Sequence, residues 1–159
     1  MKPVYFMHES GLKKFQVRAV IAGIAEVLHL AGVDKEIEIL NLGVLRADGW
    51  RAGGELVPYL SVDLYVEYGQ KMSQRKGQLN AEAILDVFRT DPFQNERPHY
   101  RVYLSRSAFN SDNKTLILGW GEEAMGVVLS LHTFVKFWRR KQSECIKTLM
   151  MHELGHAFG

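Results

Sequence analysis

The chain has 159 residues, of which 47% are hydrophobic and 24% are charged, with a formal net charge of +2. This length is that of one globular domain with a continuous core, and the composition excludes an intrinsically disordered chain. The charge is too small to predict nucleic-acid binding. Cys145 is the one cysteine of the sequence, which excludes an internal disulfide framework and is typical of a reducing compartment.

The sequence does not predict a membrane segment. The first ten residues, MKPVYFMHES, lack the apolar stretch of a secretory signal. The most apolar run, at residues 20–33, contains Glu26 and His29 and is too short and too polar to cross a bilayer. These features predict a cytoplasmic protein that makes no membrane contact.

The chain is predicted to open with a strand, a helix and a second strand. Residues 3–7 (PVYFM) have the composition of a short buried strand. Ser10 is a candidate N-cap for a helix that continues to about Ala31, with Gly32 as its C-terminal stop. The alternating residues 36–40 (EIEIL) then predict the second strand. This order indicates an α/β type of opening.

The middle of the chain is predicted to contain turns, strands and one helix. Four glycines make residues 43–54 turn-rich, and the alternating residues 60–68 (LSVDLYVEY) predict a half-buried strand. After a polar loop at 70–78, residues 81–88 are predicted to be helical, with Asn80 as the cap. Further strands are predicted at residues 99–106, 115–120 and 126–134.

The last ten residues contain the sequence pattern of a zinc site. A helix is predicted from near Ser143 through Phe158, and His152 and His156 lie four residues apart on one face of it. Two imidazoles placed in this way can bind one zinc ion at about 2.0–2.1 Å each. Glu153 lies beside this pair, where it can accept a proton from a zinc-activated water without binding the metal.

Two other interpretations of this ending stay open. In the first, the letters H-E-x-x-H lie by accident on a solvated helix face. Such an accident occurs in a chain of this length with a frequency on the order of one in two hundred. Gly159 continues the pattern toward H-E-x-x-H-x-x-G-x-x-H, in which the glycine turns the backbone toward a third histidine. In the second interpretation, Gly159 is an ordinary glycine at a helix C-terminus and does not belong to the longer motif.

With these motifs the chain resembles the archaemetzincins, a family of zinc metallopeptidases in the metzincin clan. The terminal HELGHAFG is the specific match. Residues 75–88 (RKGQLNAEAILDVF) are similar to a segment that precedes the catalytic half in that family, with Leu79 in place of a tyrosine. Residues 115–134 (TLILGWGEEAMGVVLSLHTF) resemble its glycine-flanked strand.

The resemblance implies an α+β, zincin-like fold: a twisted mixed β-sheet with two long helices, the second of which carries the H-E-x-x-H motif. It implies a zinc-dependent metallopeptidase that hydrolyses peptide bonds of a peptide or protein substrate, with Zn²⁺ on His152 and His156 and Glu153 as general base. It also implies that residues 126–134 are the edge strand above the metal, to which a peptide adds as a further strand. The substrate-binding residues would be Val127, Val128, Leu129, Ser130 and Leu131.

The sequence departs from the family after Gly159, where the family continues to a third histidine and to cysteines that hold a second zinc. Residues 1–159 are therefore expected to be a single domain, the N-terminal part of a zincin-like catalytic domain without its C-terminal subdomain. Such a chain is expected to hold zinc poorly and to self-associate through uncovered apolar surface. The alternative function is a non-catalytic binding protein with the zincin fold and an incomplete metal site.

Other residues are weaker candidates. A third metal ligand could come from elsewhere in the chain, although lone histidines are more often structural or solvated. The candidates are His8, His29, His99 and His132. Glu122 and Glu123 could bind a substrate amine, but a solvated turn is favoured. The basic residues 136–141 (KFWRRK) could contact nucleic acid or an acidic partner, but a basic loop before the last helix is favoured.

Overall fold

A computed structural model describes residues 2–44, 51–52, 55–56, 62–114 and 116–159. The helices are α1 (Lys14–Leu30), α2 (Val62–Lys71), α3 (Ala81–Thr90), α4 (Pro92–Glu96) and α5 (Arg139–Phe158). The strands are β1 (Val4–His8), β2 (Ile39–Gly43), β3 (Arg51–Ala52), β4 (Glu55–Leu56), β5 (Gln78–Asn80), β6 (Tyr100–Ser105), β7 (Ala108–Asn110), β8 (Gly119–Glu122) and β9 (Gly126–Ser130).

Five strands form one mixed sheet in the order β2-β1-β6-β9-β8. The first four are parallel to their neighbours, and β8 is antiparallel to β9. Strands β1 and β9 are almost continuously apolar and buried, which is typical of parallel strands that are covered on both faces. Two small sheets, β3-β4 and β5-β7, complete the strand pairing of the described residues.

Helices cover both faces of the sheet. On one face α1 and α5 pack together over side chains such as Val102 and Leu129, and on the other α2 and α3 pack over Tyr103 and Val128. Successive residues of β6 and β9 therefore contribute to opposite cores, as the two-residue repeat of a strand requires. No helix among the described residues combines the length and the apolar character that a membrane crossing needs.

Helices α1 and α5 run side by side at close range. A Cβ added at Gly23 would lie 2.8 Å from the Cβ of Met150, so a side chain at this position would force the helices apart. Nearer the N-termini, the Gln16 Nε2 donates a buried hydrogen bond of 2.7 Å to the Gln142 Oε1. The two helices therefore start at the same end of the molecule, and their packing carries α5 across the sheet.

Several predicted elements are confirmed with shifted ends. Helix α1 begins at Lys14 rather than after Ser10, because Gly11 has a φ of +82° and the Gln16 side chain accepts the Lys13 N–H at 2.8 Å. It ends at Leu30 with Gly32 at a φ of +71°, as predicted. The second strand is β2, a few residues later than predicted.

The predicted starts of two further helices can be compared with α3 and α5. Helix α3 begins after Asn80, whose Oδ1 accepts the Ala83 N–H at 2.9 Å, so the predicted cap is confirmed. Helix α5 begins at Arg139 rather than near Ser143, because its first three basic residues lie exposed and need no apolar partner. Of the turn-rich region, residues 45–50, 53 and 54 lie outside the described residues.

The prediction of a strand at residues 60–68 is wrong. From Val62 onward this segment is helix α2, and residues 60 and 61 lie outside the described residues. Tyr65 and Gly69 are both buried, one helical turn apart, and a Cβ on Gly69 would lie 3.3 Å from Ile84 of α3. The alternation of apolar residues is compatible with either structure over so short a run, and packing against α3 selects the helix.

Candidate metal centre

The motif of the sequence lies near the C-terminus of α5. Ile146, Met150, Leu154 and Ala157 are buried against α1 and the sheet at helical spacing. The same spacing leaves His152 and His156 exposed. The apolar stripe therefore orients the helix, and the histidines face away from the core as a consequence.

The two imidazoles converge on one point. The Nε2 atoms of His152 and His156 are 3.3 Å apart, and the ring planes are almost perpendicular at 88°. Two nitrogen ligands that bind one zinc ion at 2.0–2.1 Å with tetrahedral angles are about 3.3–3.4 Å apart. The donor pair thus fits a zinc ion without rearrangement of the helix.

A third ligand is not brought to this pair within the part of the chain that the structure describes. Across residues 2–44, 51–52, 55–56, 62–114 and 116–159, no group of three His, Cys, Asp or Glu side chains has the geometry to hold a metal ion. His8 lies at the end of β1 with its Nδ1 2.7 Å from the Glu9 carbonyl oxygen. His29 lies near the end of α1, and His132 is exposed after β9.

Glu153 lies between the histidines in sequence but on the side of the helix that faces β8. Its side chain is 8% exposed, whereas those of both histidines are exposed. A Cβ added at Gly119 would lie 3.0 Å from the Glu153 Cγ. The carboxylate is therefore held beneath β8, beside the histidine pair rather than in it.

Two glycines of β8 allow this strand to lie directly on the helix. A Cβ at Gly121 would lie 2.0 Å from the Glu153 carbonyl oxygen and 3.1 Å from the His156 Cβ. Any side chain at Gly121 would therefore displace the strand from the helix. The G-x-G spacing in GWGE is the signal that could have identified these residues from the sequence, because both glycines lie on one face of a strand.

The same two glycines also lie in the edge strand of the five-stranded sheet that the described residues form. The Ser130 N–H donates to the Leu118 carbonyl oxygen at 2.8 Å, and residues of β8 pair antiparallel with β9. In an antiparallel pair the main-chain groups of alternate residues point toward the partner strand. The N–H and C=O groups of Gly119 and Gly121 therefore point away from β9, toward the outer side of β8.

The prediction that residues 126–134 form the edge strand is wrong. Strand β9 pairs with β6 on one side and with β8 on the other. Val127, Val128, Leu129 and Ser130 lie within that doubly paired strand, and Leu131 donates its N–H to the Ser105 carbonyl oxygen at 2.9 Å. No edge remains there for a peptide, because the chain turns back after Glu122 and places β8 outside β9.

The turn between β8 and β9 is joined to the end of the helix. Ala124, at a φ of 60°, donates its N–H to the Ala157 carbonyl oxygen at 2.9 Å. This bond satisfies one of the carbonyl groups that every helix C-terminus leaves unpaired. Glu122 pairs with Arg89 of α3, so it lies in an ion pair rather than in a free amine-binding turn.

His99, another candidate ligand, lies in a buried polar cluster on the opposite face of the sheet. The Arg101 guanidinium contacts Asp91 Oδ2 at 2.8 Å and Tyr65 Oη at 2.9 Å, and its Nη2 is 3.1 Å from His99 Nε2. His99 Nδ1 is 2.6 Å from the Arg97 carbonyl oxygen, which assigns the proton to Nδ1. Both His99 nitrogens are engaged, so this residue is structural.

Burial sets the ionisation of this cluster. Removal from water, followed by the positive charge of Arg101, lowers the pKa of His99 to about 4. Burial also raises the pKa of Tyr65 to about 12. His99 is therefore neutral near pH 7 and can accept a hydrogen bond from Arg101.

Comparison with known proteins identifies the fold. The chain matches no protein-family model and no curated protein sequence. It is similar to the crystal structure of an archaemetzincin from Methanopyrus kandleri, with a TM-score of 0.67 and 17% identity over 99% of this chain and 73% of that one. An archaemetzincin from Archaeoglobus fulgidus, complexed with malonate, has a TM-score of 0.61 and 14% identity over 100% and 78%.

A zinc-dependent peptidase from Methanocorpusculum labreanum is also similar, with a TM-score of 0.53 and 14% identity over 98% of this chain and 81% of that one. At such identities the similarity shows a shared fold. The predicted zincin-like fold, with a mixed sheet and the motif on the second long helix, is confirmed as the archaemetzincin-like fold.

Proposed function

We propose that this protein is a zinc-dependent peptidase whose centre includes His152, Glu153 and His156. The observation that carries the proposal is the 3.3 Å separation of the two Nε2 atoms, next to a buried carboxylate and below the open edge of a sheet. The zinc-dependent peptidase that shares the fold supports it. In this proposal the chain supplies the part of a zincin-like catalytic domain that holds these three residues, in a cytoplasmic protein.

The histidines would hold the metal through Nε2, and their exposure leaves that face accessible to a substrate. Zinc bound there would supply Lewis-acid activation of water and of the scissile carbonyl group. Residues that complete the zinc coordination lie outside this pair, since catalytic zinc sites have about three protein ligands.

Glu153 is the candidate general base. Its carboxylate would accept a proton from the attacking water and later donate it to the leaving amine. Its position under Gly119 limits its contact with bulk water and restricts the directions in which its side chain can point. A base held in this way keeps its distance to the scissile bond constant.

Strand β8 is the proposed substrate-binding element. The outward N–H and C=O groups of Gly119 and Gly121 can pair with an extended peptide, which adds to the sheet as a sixth strand. The peptide backbone would then run along the edge directly above Glu153 and His156. Val127, Val128 and Leu129 pair with β8 from behind, so in this proposal their contribution to substrate binding is indirect.

The proposal is tested with Glu153→Gln and His156→Ala in parallel. In a protein whose zinc coordination is complete, Glu153→Gln is expected to retain zinc while it loses peptide hydrolysis by about 10²–10⁴-fold, because the amide cannot accept the proton. His156→Ala is expected to lose both zinc and hydrolysis. Zinc per chain is measured by mass spectrometry after dialysis, and hydrolysis with a quenched-fluorescent peptide library.

Cys145→Ser is the matched control on the same helix, and it should retain both properties. Loss of zinc on dialysis together with the absence of Glu153-dependent hydrolysis would favour the alternative, a non-catalytic binding protein with the zincin fold and an incomplete metal site. Hydrolysis that persists in Glu153→Gln would refute the role of Glu153 as base.

A further inference from the structure

A groove lies between the N-terminal halves of α1 and α5, whereas the histidine pair lies near the C-terminus of α5. It has a volume of about 390 Å³. Helix α1 contributes two alanines and a phenylalanine, and both helices contribute basic side chains. The lining residues are Phe15, Arg18, Ala19, Ala22, Arg139, Ser143, Glu144 and Lys147. The motif in α5 begins more than one helical turn from the groove, since His152 follows Lys147, the last lining residue of α5, by five residues.

The surface around this groove is strongly positive. Residues 13–18 and 136–147 hold eight of the chain's lysine and arginine residues and a single acidic residue, Glu144, although the whole chain has a net charge of only +2. The contact between Gln16 and Gln142 places the two segments side by side. Both helices also begin there, and helix N-termini add partial positive charge.

The basic side chains of the groove are held in place by their neighbours. The Arg139 guanidinium lies over the Phe15 ring at 5.2 Å, and the Lys147 Nζ is 3.4 Å from Glu26 Oε2. Ala22 is exposed and Ala19 is buried, so the α1 side of the groove is formed by short side chains. A ligand can therefore approach the helix surface and meet positive charge at the same time.

We propose that this groove is a docking site for an acidic polypeptide segment, separate from the histidine centre. Positive charge selects an acidic partner, and the concave apolar part between the charges fits side chains of a peptide. A flat lipid surface would not enter a groove, although exposed Trp138 and Val135 lie nearby. Glu144 within the lining disfavours a continuous phosphate backbone, whereas a peptide can place an N–H group against it.

Fluorescence anisotropy with a labelled peptide tests the proposal without any need for catalytic activity. The probe has ~12 residues, which is enough to span the ~12 Å that residues 15–22 cover along α1. It carries glutamates on one helical face and leucine and alanine on the other. Saturable binding that weakens with salt is expected. The triple variant Arg18→Gln/Arg139→Gln/Lys147→Gln is expected to weaken binding about tenfold, since exposed ion pairs are individually weak.

Lys35→Gln/Arg75→Gln/Lys114→Gln is the matched control, because it removes the same charge from exposed positions elsewhere. It should change the affinity less than twofold. Ala22→Leu, which partly fills the groove, should weaken binding at unchanged charge. The circular dichroism of each variant verifies that it is folded.

Three results would overturn the proposal. The first is the absence of saturable peptide binding up to about 1 mM, which is the weak end of specific recognition. The second is an equal loss of affinity in the control variant, which would indicate non-specific charge attraction. The third is groove-dependent binding of a thymidine oligonucleotide or of phosphatidylserine vesicles in preference to the peptide.

Discussion

Two histidine-centred clusters lie on opposite faces of the same sheet, and they differ in how their polar atoms are satisfied. His99 is completely buried, and its ring contacts Arg97, Arg101 and Tyr5. His152 and His156 are exposed on α5, and their Nε2 atoms approach each other. One cluster is closed by direct bonds within the protein, and the other points its nitrogen atoms at a common position outside the helix.

This difference separates the structural role of His99 from the metal-binding role proposed for His152 and His156. In a buried site every polar group needs a partner, and Arg101 with Asp91 and Tyr65 meets that requirement internally. A pair of exposed imidazoles gains little stability from its mutual contact, whereas the convergence of the two nitrogen atoms fits the zinc ion proposed above. The buried cluster should therefore respond to mutation through stability, and the exposed one through metal binding and catalysis.

The largest expected effect on stability tests the buried cluster around His99 and Arg101. Asp91→Ala would leave the Arg101 charge buried without this carboxylate, and it is expected to lower the free energy of unfolding by about 3–5 kcal/mol. Urea denaturation measures this change. Asp86→Ala, which removes an exposed partner of Arg89, is the control and should cost less than about 1 kcal/mol. Equal effects of the two substitutions would contradict a closed, structural cluster.

The pH dependence of stability tests the same cluster through His99. Because its pKa is lowered to about 4 in the folded protein, the unfolded chain binds more protons between about pH 6.5 and pH 4. Stability should therefore fall as the pH falls through this window, by about 3 kcal/mol in total from this residue. Urea titrations at several pH values should show a shallower slope for His99→Gln. Identical slopes would show that His99 is not held neutral.

The contact between β8 and α5 tests the exposed cluster, which consists of His152 and His156. Gly121→Ala would place a Cβ 2.0 Å from the Glu153 carbonyl oxygen, so the strand must move. We expect a loss of about 1–3 kcal/mol in stability, together with reduced peptide hydrolysis, because the edge strand and the proposed base are both displaced. Thermal unfolding and the fluorescent peptide assay measure the two effects. Unchanged hydrolysis in a folded variant would separate β8 from the substrate.

The smallest effect is expected at a glycine within the motif itself. An added Cβ at Gly155 meets no atom within 4 Å outside the helix's own local backbone, so alanine is accommodated there. Gly155→Ala should raise the stability by up to about 1 kcal/mol, because glycine costs more backbone entropy in a helix. Zinc retention should be unchanged. Together with Gly121→Ala, this variant distinguishes crowding at β8 from any general effect of alanine near the histidines.

The sequence by itself determined the features that depend on residues within about one helical turn of each other. The pairing of His152 with His156 and the Asn80 cap of α3 are both of this kind. Such contacts form whenever the local helix forms, whatever the rest of the chain does. For this reason the sequence alone predicts both the position of the motif and the helix face that His152 and His156 share.

Only the tertiary structure decided which strand lies at the edge and which way an ambiguous segment folds. Residues 126–130 have the almost continuous apolar composition of a buried strand, but whether another strand pairs outside them depends on the turn at residues 122–126. Residues 62–71 are helical where they pack against α3, and Tyr65 of this helix accepts a hydrogen bond from Arg101, a residue 36 positions away. These outcomes rest on contacts between distant parts of the chain, and a local pattern contains no information about which distant surface it will meet.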